Sequence, residues 1–212
     1  MRRPTYSLLA SLAVAVILAG APAWAADPPT PPEAEQDGQA PQAKQDEPPP
    51  ETPAEERADL YARLAASKDA DETEGIIGRL LRSYSESGSD TGDLLLQHAR
   101  HAIGVEQYAD ALKILDQTIA LLPDWAEGWN ARATVRYLND DYNGSMADIA
   151  QTLKREPKHL GALMGMATIL EARGKSEEAL KVYERALAIA PHWRNAEEAA
   201  NKLKATLAGS EL

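Results

Sequence analysis

Apolar side chains first fall into a helical rhythm near Glu55. Leu60, Tyr61, Leu64 and Ala65 lie three and four positions apart, on one face of a helix. A polar break at residues 67–71 interrupts them, and Ile76, Ile77, Leu80, Leu81 and Tyr84 predict a second helix that stops in a Ser/Gly/Asp-rich turn at 85–92. The pattern predicts an irregular hairpin over 55–91, expected to cap the N-terminal end of a longer helical array. Beyond residue 91 the rhythm repeats. Pro123, Pro157 and Pro191 are the only prolines after residue 53, and they lie 34 residues apart. A fixed period of that length marks stacked helical hairpins. It divides the chain into three units, 92–125, 126–159 and 160–193. After Pro191, Trp193, Ala196, Ala199, Ala200, Leu203 and Leu207 predict a capping helix over 194–209, ending at Gly209.

The small positions have a steric cause. Ala99, Ala133 and Ala167 fall in the first helix of each unit, where a larger side chain would hold the two helices apart. Ala111 and Ala179 serve the second helix, with Ser145 in that slot of the middle unit. Tyr108, Tyr142, Leu115, Ile149 and Tyr183 fill the spaces between. Each proline ends a second helix and restricts the residue before it. Asp140-Asp141 and Arg173-Gly174-Lys175 form the turns within hairpins.

These residues resemble the tetratricopeptide repeat: Ala99, Tyr108, Ala111 and Pro123; Trp129, Ala133, Tyr142 and Pro157; Leu163, Ala167, Gly174, Ala179, Tyr183, Ala186 and Pro191. The resemblance covers about half of the chain. It implies an all-α fold, a right-handed superhelical array of helix–turn–helix units that holds a peptide or helix in a concave groove. The family register places Asp93, Leu96, Gln97, Arg100 and Ile103 of unit one in that groove, with Glu127, Asn130, Thr134, Tyr137 and Leu138 of unit two. Unit three adds Gly161, Met164, Gly165, Thr168 and Glu171. The candidate binding residues are Leu96, Arg100, Ile103, Asn130, Thr134, Tyr137, Met164 and Thr168, a mixed surface with an apolar strip suited to a short amphipathic segment. One subfamily grips chaperone C-terminal carboxylates with a clamp of Lys, Asn and Arg. Here the corresponding positions are Leu96, Arg100, Ala131, Gly161 and Gly165, so that clamp is missing. At a register position that is normally apolar stand His98, Arg132 and Met166. Arg132 has three readings: its charge reaches the edge along its aliphatic stem, it pairs with Glu127 or Asp148, or it recognises a ligand.

Composition changes the picture at the N-terminus. Arg2 and Arg3, an apolar run from Leu8 to Gly20, and Ala23-Trp24-Ala25 read as a signal peptide over 1–25, cleaved before Ala26. The run is short for a membrane span, and no stable membrane insertion is expected after cleavage. Residues 26–54 hold nine prolines and few bulky apolar side chains, the composition of a disordered linker. Much of the net charge of -11 lies there: residues 26–58 carry nine acids and two bases, whereas 92–193 carry fourteen and eleven. No clustered basic face suggests nucleic acid. The chain has no cysteine, which closes disulfide, thiol and lipoprotein chemistry.

Catalytic chemistry finds no footing in the sequence. No glycine-rich phosphate loop follows a strand, and no serine sits in a nucleophile elbow. His98 and His101, with Glu106 or Asp93, make a poor metal set. No cofactor and no metal are expected. The expectation is a non-catalytic adaptor or scaffold in the bacterial envelope, exported to the periplasm in preference to secretion outside the cell, whose partner is a protein or peptide. The alternative is a structural subunit that docks or self-associates through the ends of the array.

Overall fold

The computed structural model describes residues 52–209. The predicted signal peptide and the linker up to residue 51 lie outside them. The described part is helical: α1 (Pro53–Ala66), α2 (Ala70–Tyr84), α3 (Asp90–Gly104), α4 (Tyr108–Leu121), α5 (Ala126–Leu138), α6 (Tyr142–Arg155), α7 (Leu160–Ala172), α8 (Ser176–Ile189) and α9 (Arg194–Gly209). Helix α1 starts inside the segment expected to be linker, because Thr52 caps it through the Glu55 N–H and Pro53 takes the first helical position. Asp69, Ser89, Asp141 and His159 cap α2, α3, α6 and α7 in the same way.

Helices α3/α4, α5/α6 and α7/α8 pack as antiparallel pairs, stacked through α4 on α5 and α6 on α7, with α9 against α8. Ala99, Ala111, Ala162, Ala167 and Ala179 are fully buried at the crossings. The turns within the pairs are one structure repeated three times. The N–H of Gln107 bonds Ala102 O at 2.8 Å, that of Asp141 bonds Arg136 O at 2.8 Å, and that of Lys175 bonds Leu170 O at 2.9 Å. This six-residue closure needs the residue before the donor in the left-handed region. Glu106 (φ 59°), Asp140 (φ 60°) and Gly174 (φ 71°) occupy it.

The N-terminal hairpin does not cap the first unit, contrary to the expectation. It lies along the edge that carries the turns between units. Leu60, Leu64, Ile76, Ile77, Leu80 and Tyr84 share one core with Leu160, Leu163, Tyr183, Trp193 and Ala196 of the third unit and α9. Polar contacts fix the position. Trp125 Nε1 donates to Tyr84 O (2.9 Å), Tyr84 Oη to Lys158 O (3.4 Å), and Arg194 pairs with Asp71 (3.2 Å) and Glu74 (3.3 Å). The fold-back starts in the loop after α2: Gly88 adopts φ 76°, and Ser87 is held by Asp93. The apolar face of α2 then meets Leu160 and Leu163 near the start of α7. On the first unit Leu94 and Leu121 remain half exposed (50% and 51%).

Candidate functional site

Two polar clusters are built on α5. In the first, Arg132 Nε and Nη2 grip Asp148 at 2.9 and 2.8 Å, and Nη1 reaches Asp116 at 2.7 Å. Arg136 adds a second cation to Asp148 at 2.9 Å. Asp148 is buried, and both guanidinium groups face it, which offsets the cost of taking the carboxylate out of water. The hydrogen bond to Asp148 holds the Arg132 guanidinium more firmly protonated than an ordinary arginine. Of the three readings of Arg132, the structure selects the ion pair. Glu127, the other candidate partner, is engaged elsewhere.

Glu127 centres the second cluster. It accepts from Arg100 Nη2 (2.9 Å), Asn130 Nδ2 (3.0 Å) and His159 Nε2 (3.2 Å). His159 is fully buried and accepts the Ala162 N–H at Nδ1. Its Nδ1 therefore carries no proton, and Nε2 is the donor to Glu127. The His159 ring stacks on Tyr84 with centroids 4.0 Å apart, and Tyr84 Oη lies 2.6 Å from Tyr61 Oη. A chain of contacts thus runs from the edge hairpin through His159 and Glu127 to Asn130. Among the described residues, no buried side-chain nitrogen or oxygen lacks a partner.

Asn130 opens onto a cleft of about 170 Å³ between α5 and α7. Asn130, Thr134 and Tyr137 line it from α5, Gly161, Gly165 and Thr168 from α7, and Ala133, Ser145, Ile149 and Ile169 close its base. The two glycines leave the α7 backbone bare. A Cβ on Gly165 would meet Ile149 Cδ1 at 3.5 Å, and one on Gly161 would meet His159 Cε1 at 3.5 Å. Those are ordinary contacts, so packing does not demand either glycine.

Four of the eight sequence-selected residues therefore line one cleft: Asn130, Thr134, Tyr137 and Thr168. The other four do not. Leu96 is buried at 1% exposure in a core with Ala131 and Val135, because the first helices of neighbouring units approach closely there. Ile103 packs against the same core. Met164 packs toward the core shared with the edge hairpin. Arg100 stays exposed but is tied to Glu127 and Ser85. Gly161 and Gly165, which the register selected, line the cleft, whereas the floor residues Ser145 and Ile149 come from α6 and have no signal in a first-helix register. Among the described residues no group of three or more His, Cys, Asp or Glu is placed to hold a metal ion. His98 and His101 are exposed. No described helix is long and apolar enough to cross a membrane.

No family model matches the chain. A TPR repeat-containing protein of Rhizobium etli is 41% identical over 159 residues, which cover 75% of this chain and 78% of that protein. Among solved structures, the first TPR of Spaghetti (RPAP3) bound to the HSP90 peptide SRMEEVD superposes with a TM-score of 0.53 at 20% identity, over 57% of this chain and 95% of that one. The TPR2B domain of yeast Sti1 in its pHsp70 complex gives 0.52 at 17%, over 56% and 99%. MamA gives 0.52 at 15%, over 64% and 81%. At these identities the structures share the fold alone. The extent of the match to the Rhizobium etli protein, together with three 34-residue helical pairs, shows that this chain belongs to the tetratricopeptide-repeat (TPR) proteins.

Proposed function

We propose that the chain is a non-catalytic adaptor or scaffold of the bacterial envelope, holding a peptide or helix of a partner protein in the groove between α5 and α7. The carrying observation is the cleft at Gly161 and Gly165. Glycine inside a helix costs roughly 1 kcal/mol against alanine, and no neighbour of either glycine forbids a Cβ. What the two positions keep open is access to the α7 backbone. The RPAP3 and Sti1 domains of the same fold were solved with a peptide of, or in complex with, a chaperone, which supports a polypeptide as the occupant. Export to the periplasm rests on the signal pattern of residues 1–25.

The test is affinity capture after crosslinking in cells, with the wild-type chain and Gly165→Leu as baits. The adaptor reading expects a partner held by wild type and lost by the variant, with both baits equally helical. A partner held equally by both baits moves binding out of the cleft. The half-exposed Leu94 and Leu121 of the first unit then favour the alternative, a subunit docked through the end of its array.

A further inference from the structure

The cleft's hydrogen-bonding inventory says what it takes, granted the adaptor reading just given. Thr134 Oγ1 donates to Asn130 O (3.1 Å), Thr168 Oγ1 to Met164 O (2.9 Å), and Ser145 Oγ to Ala133 O (2.8 Å). Each hydroxyl has one proton, so all three turn only lone pairs toward an occupant. Asn130 commits one of its two amide protons to Glu127, and among the described residues its Oδ1 accepts from no protein donor. The lining contains no lysine, arginine or histidine. Arg100 and Arg136 are already bonded, to Glu127 and Asp148. Glu171, which accepts from Tyr183 Oη at 3.0 Å, and Glu127 add negative charge around the site. Acceptors thus outnumber donors in the cleft, where the Tyr137 O–H and the second Asn130 amide proton are the donors left, and the Tyr137 ring, Ala133, Ile149 and Ile169 form apolar walls.

We propose that this cleft takes the phenol ring of a tyrosine presented by the partner polypeptide. Its volume of about 170 Å³ suits one six-membered ring, since an apolar protein cavity of about 150 Å³ holds benzene. The phenol O–H supplies the donor that Asn130 Oδ1 and the threonine oxygens lack. A carboxylate would find no cation in the lining and would face the negative charges of Glu127 and Glu171. A phenylalanine ring would fill the walls and leave the rim acceptors without a bond. A lysine ammonium would lose its water against apolar walls.

The test titrates the side-chain analogues p-cresol, toluene and 4-methylbenzoate at pH 7 into the 15N-labelled chain, following the Gly161 and Gly165 amide signals. The expected result is saturable shifts with p-cresol about fivefold tighter than with toluene, the factor of one net hydrogen bond, and weakest binding for 4-methylbenzoate. Gly165→Leu abolishes the shifts. Thr134→Val, on an exposed position that leaves the fold intact, brings p-cresol down toward toluene. Three outcomes overturn the assignment: 4-methylbenzoate binding as tightly as p-cresol, no saturable shift with any probe, or p-cresol binding unchanged in Gly165→Leu. A partner captured through the cleft alongside equal binding of p-cresol and 4-methylbenzoate defeats the tyrosine assignment and spares the adaptor. Selective p-cresol binding without any captured partner defeats the adaptor and leaves the phenol site standing.

Discussion

At the scale of single residues, stability concentrates where charge or backbone geometry has one solution. Asp148 faces two guanidinium groups and is 2% exposed, whereas Asp116, at the other end of Arg132, is 61% exposed at its side chain. Asp148→Asn leaves Arg132 and Arg136 short of an anion and is expected to cost about 3 kcal/mol. Asp116→Asn is expected to cost less than about 1 kcal/mol. Urea denaturation of both variants checks the contrast, and equal losses would refute it. Glu106 and Asp140 hold the left-handed turn position that Gly174 holds in the third unit. Glu106→Gly removes a side-chain clash of roughly 1 kcal/mol, so its urea midpoint is expected to rise. Arg132 marks a limit of sequence reading. Its spacing left Glu127 and Asp148 as candidates, and the packing of α6 against α5 brings Asp148 to it.

At the scale of elements, α7 lines the α5–α7 cleft and the edge hairpin packs on α7. Gly165→Ala is expected to raise stability by up to about 1 kcal/mol, because the new Cβ meets Ile149 at an ordinary 3.5 Å. A lower urea midpoint would show that packing needs the glycine after all. The hairpin is held by Tyr61 and Tyr84, whose phenols are both raised above the ordinary 10.0, chiefly by burial. Burial also pushes Tyr183 up to about 12, aided by its bond to Glu171. A phenol raised in the folded state stabilises fully below pH 10. Above pH 10 the unfolded chain sheds its proton first, and that contribution is lost as pH rises. Stability is therefore expected to fall between pH 10 and 11, for Tyr84 by up to about 1.4 kcal/mol per pH unit, and Tyr84→Phe should flatten the fall. An unchanged slope in that variant would contradict the burial of the pair. The hairpin's helices were legible from their apolar spacing. Its seat was not, because the 34-residue period fixes how repeats stack and says nothing of a non-repeating hairpin. The fold-back depends on Gly88, Ser87 and the indole of Trp125, which sit in the turns and carry no periodicity.

At the scale of the whole molecule, the prolines and small residues made the helical array legible, since each hairpin must bury its face on the next. The groove was legible in part. The register singled out Asn130, Thr134, Tyr137 and Thr168, which line the α5–α7 cleft, yet it gave no measure of how closely α3 and α5 approach, which buries Leu96. The proposed recognition surface accordingly narrows from three units to the α5–α7 cleft. The contacts from Tyr61 through Tyr84, His159 and Glu127 to Asn130 tie that cleft to the hairpin. Tyr84→Ala is therefore expected to lower stability by about 3–5 kcal/mol and to loosen Asn130, read as faster hydrogen exchange in α5 and α7 than in α4. Whether the cleft is the recognition surface is decided by photocrosslinking in cells, with the photoreactive residue placed at Thr134 in the cleft or at Leu94 on the open end of the first unit. Recognition in the cleft predicts a partner-protein adduct from position 134 and none from position 94. An adduct from position 94 alone would contradict it.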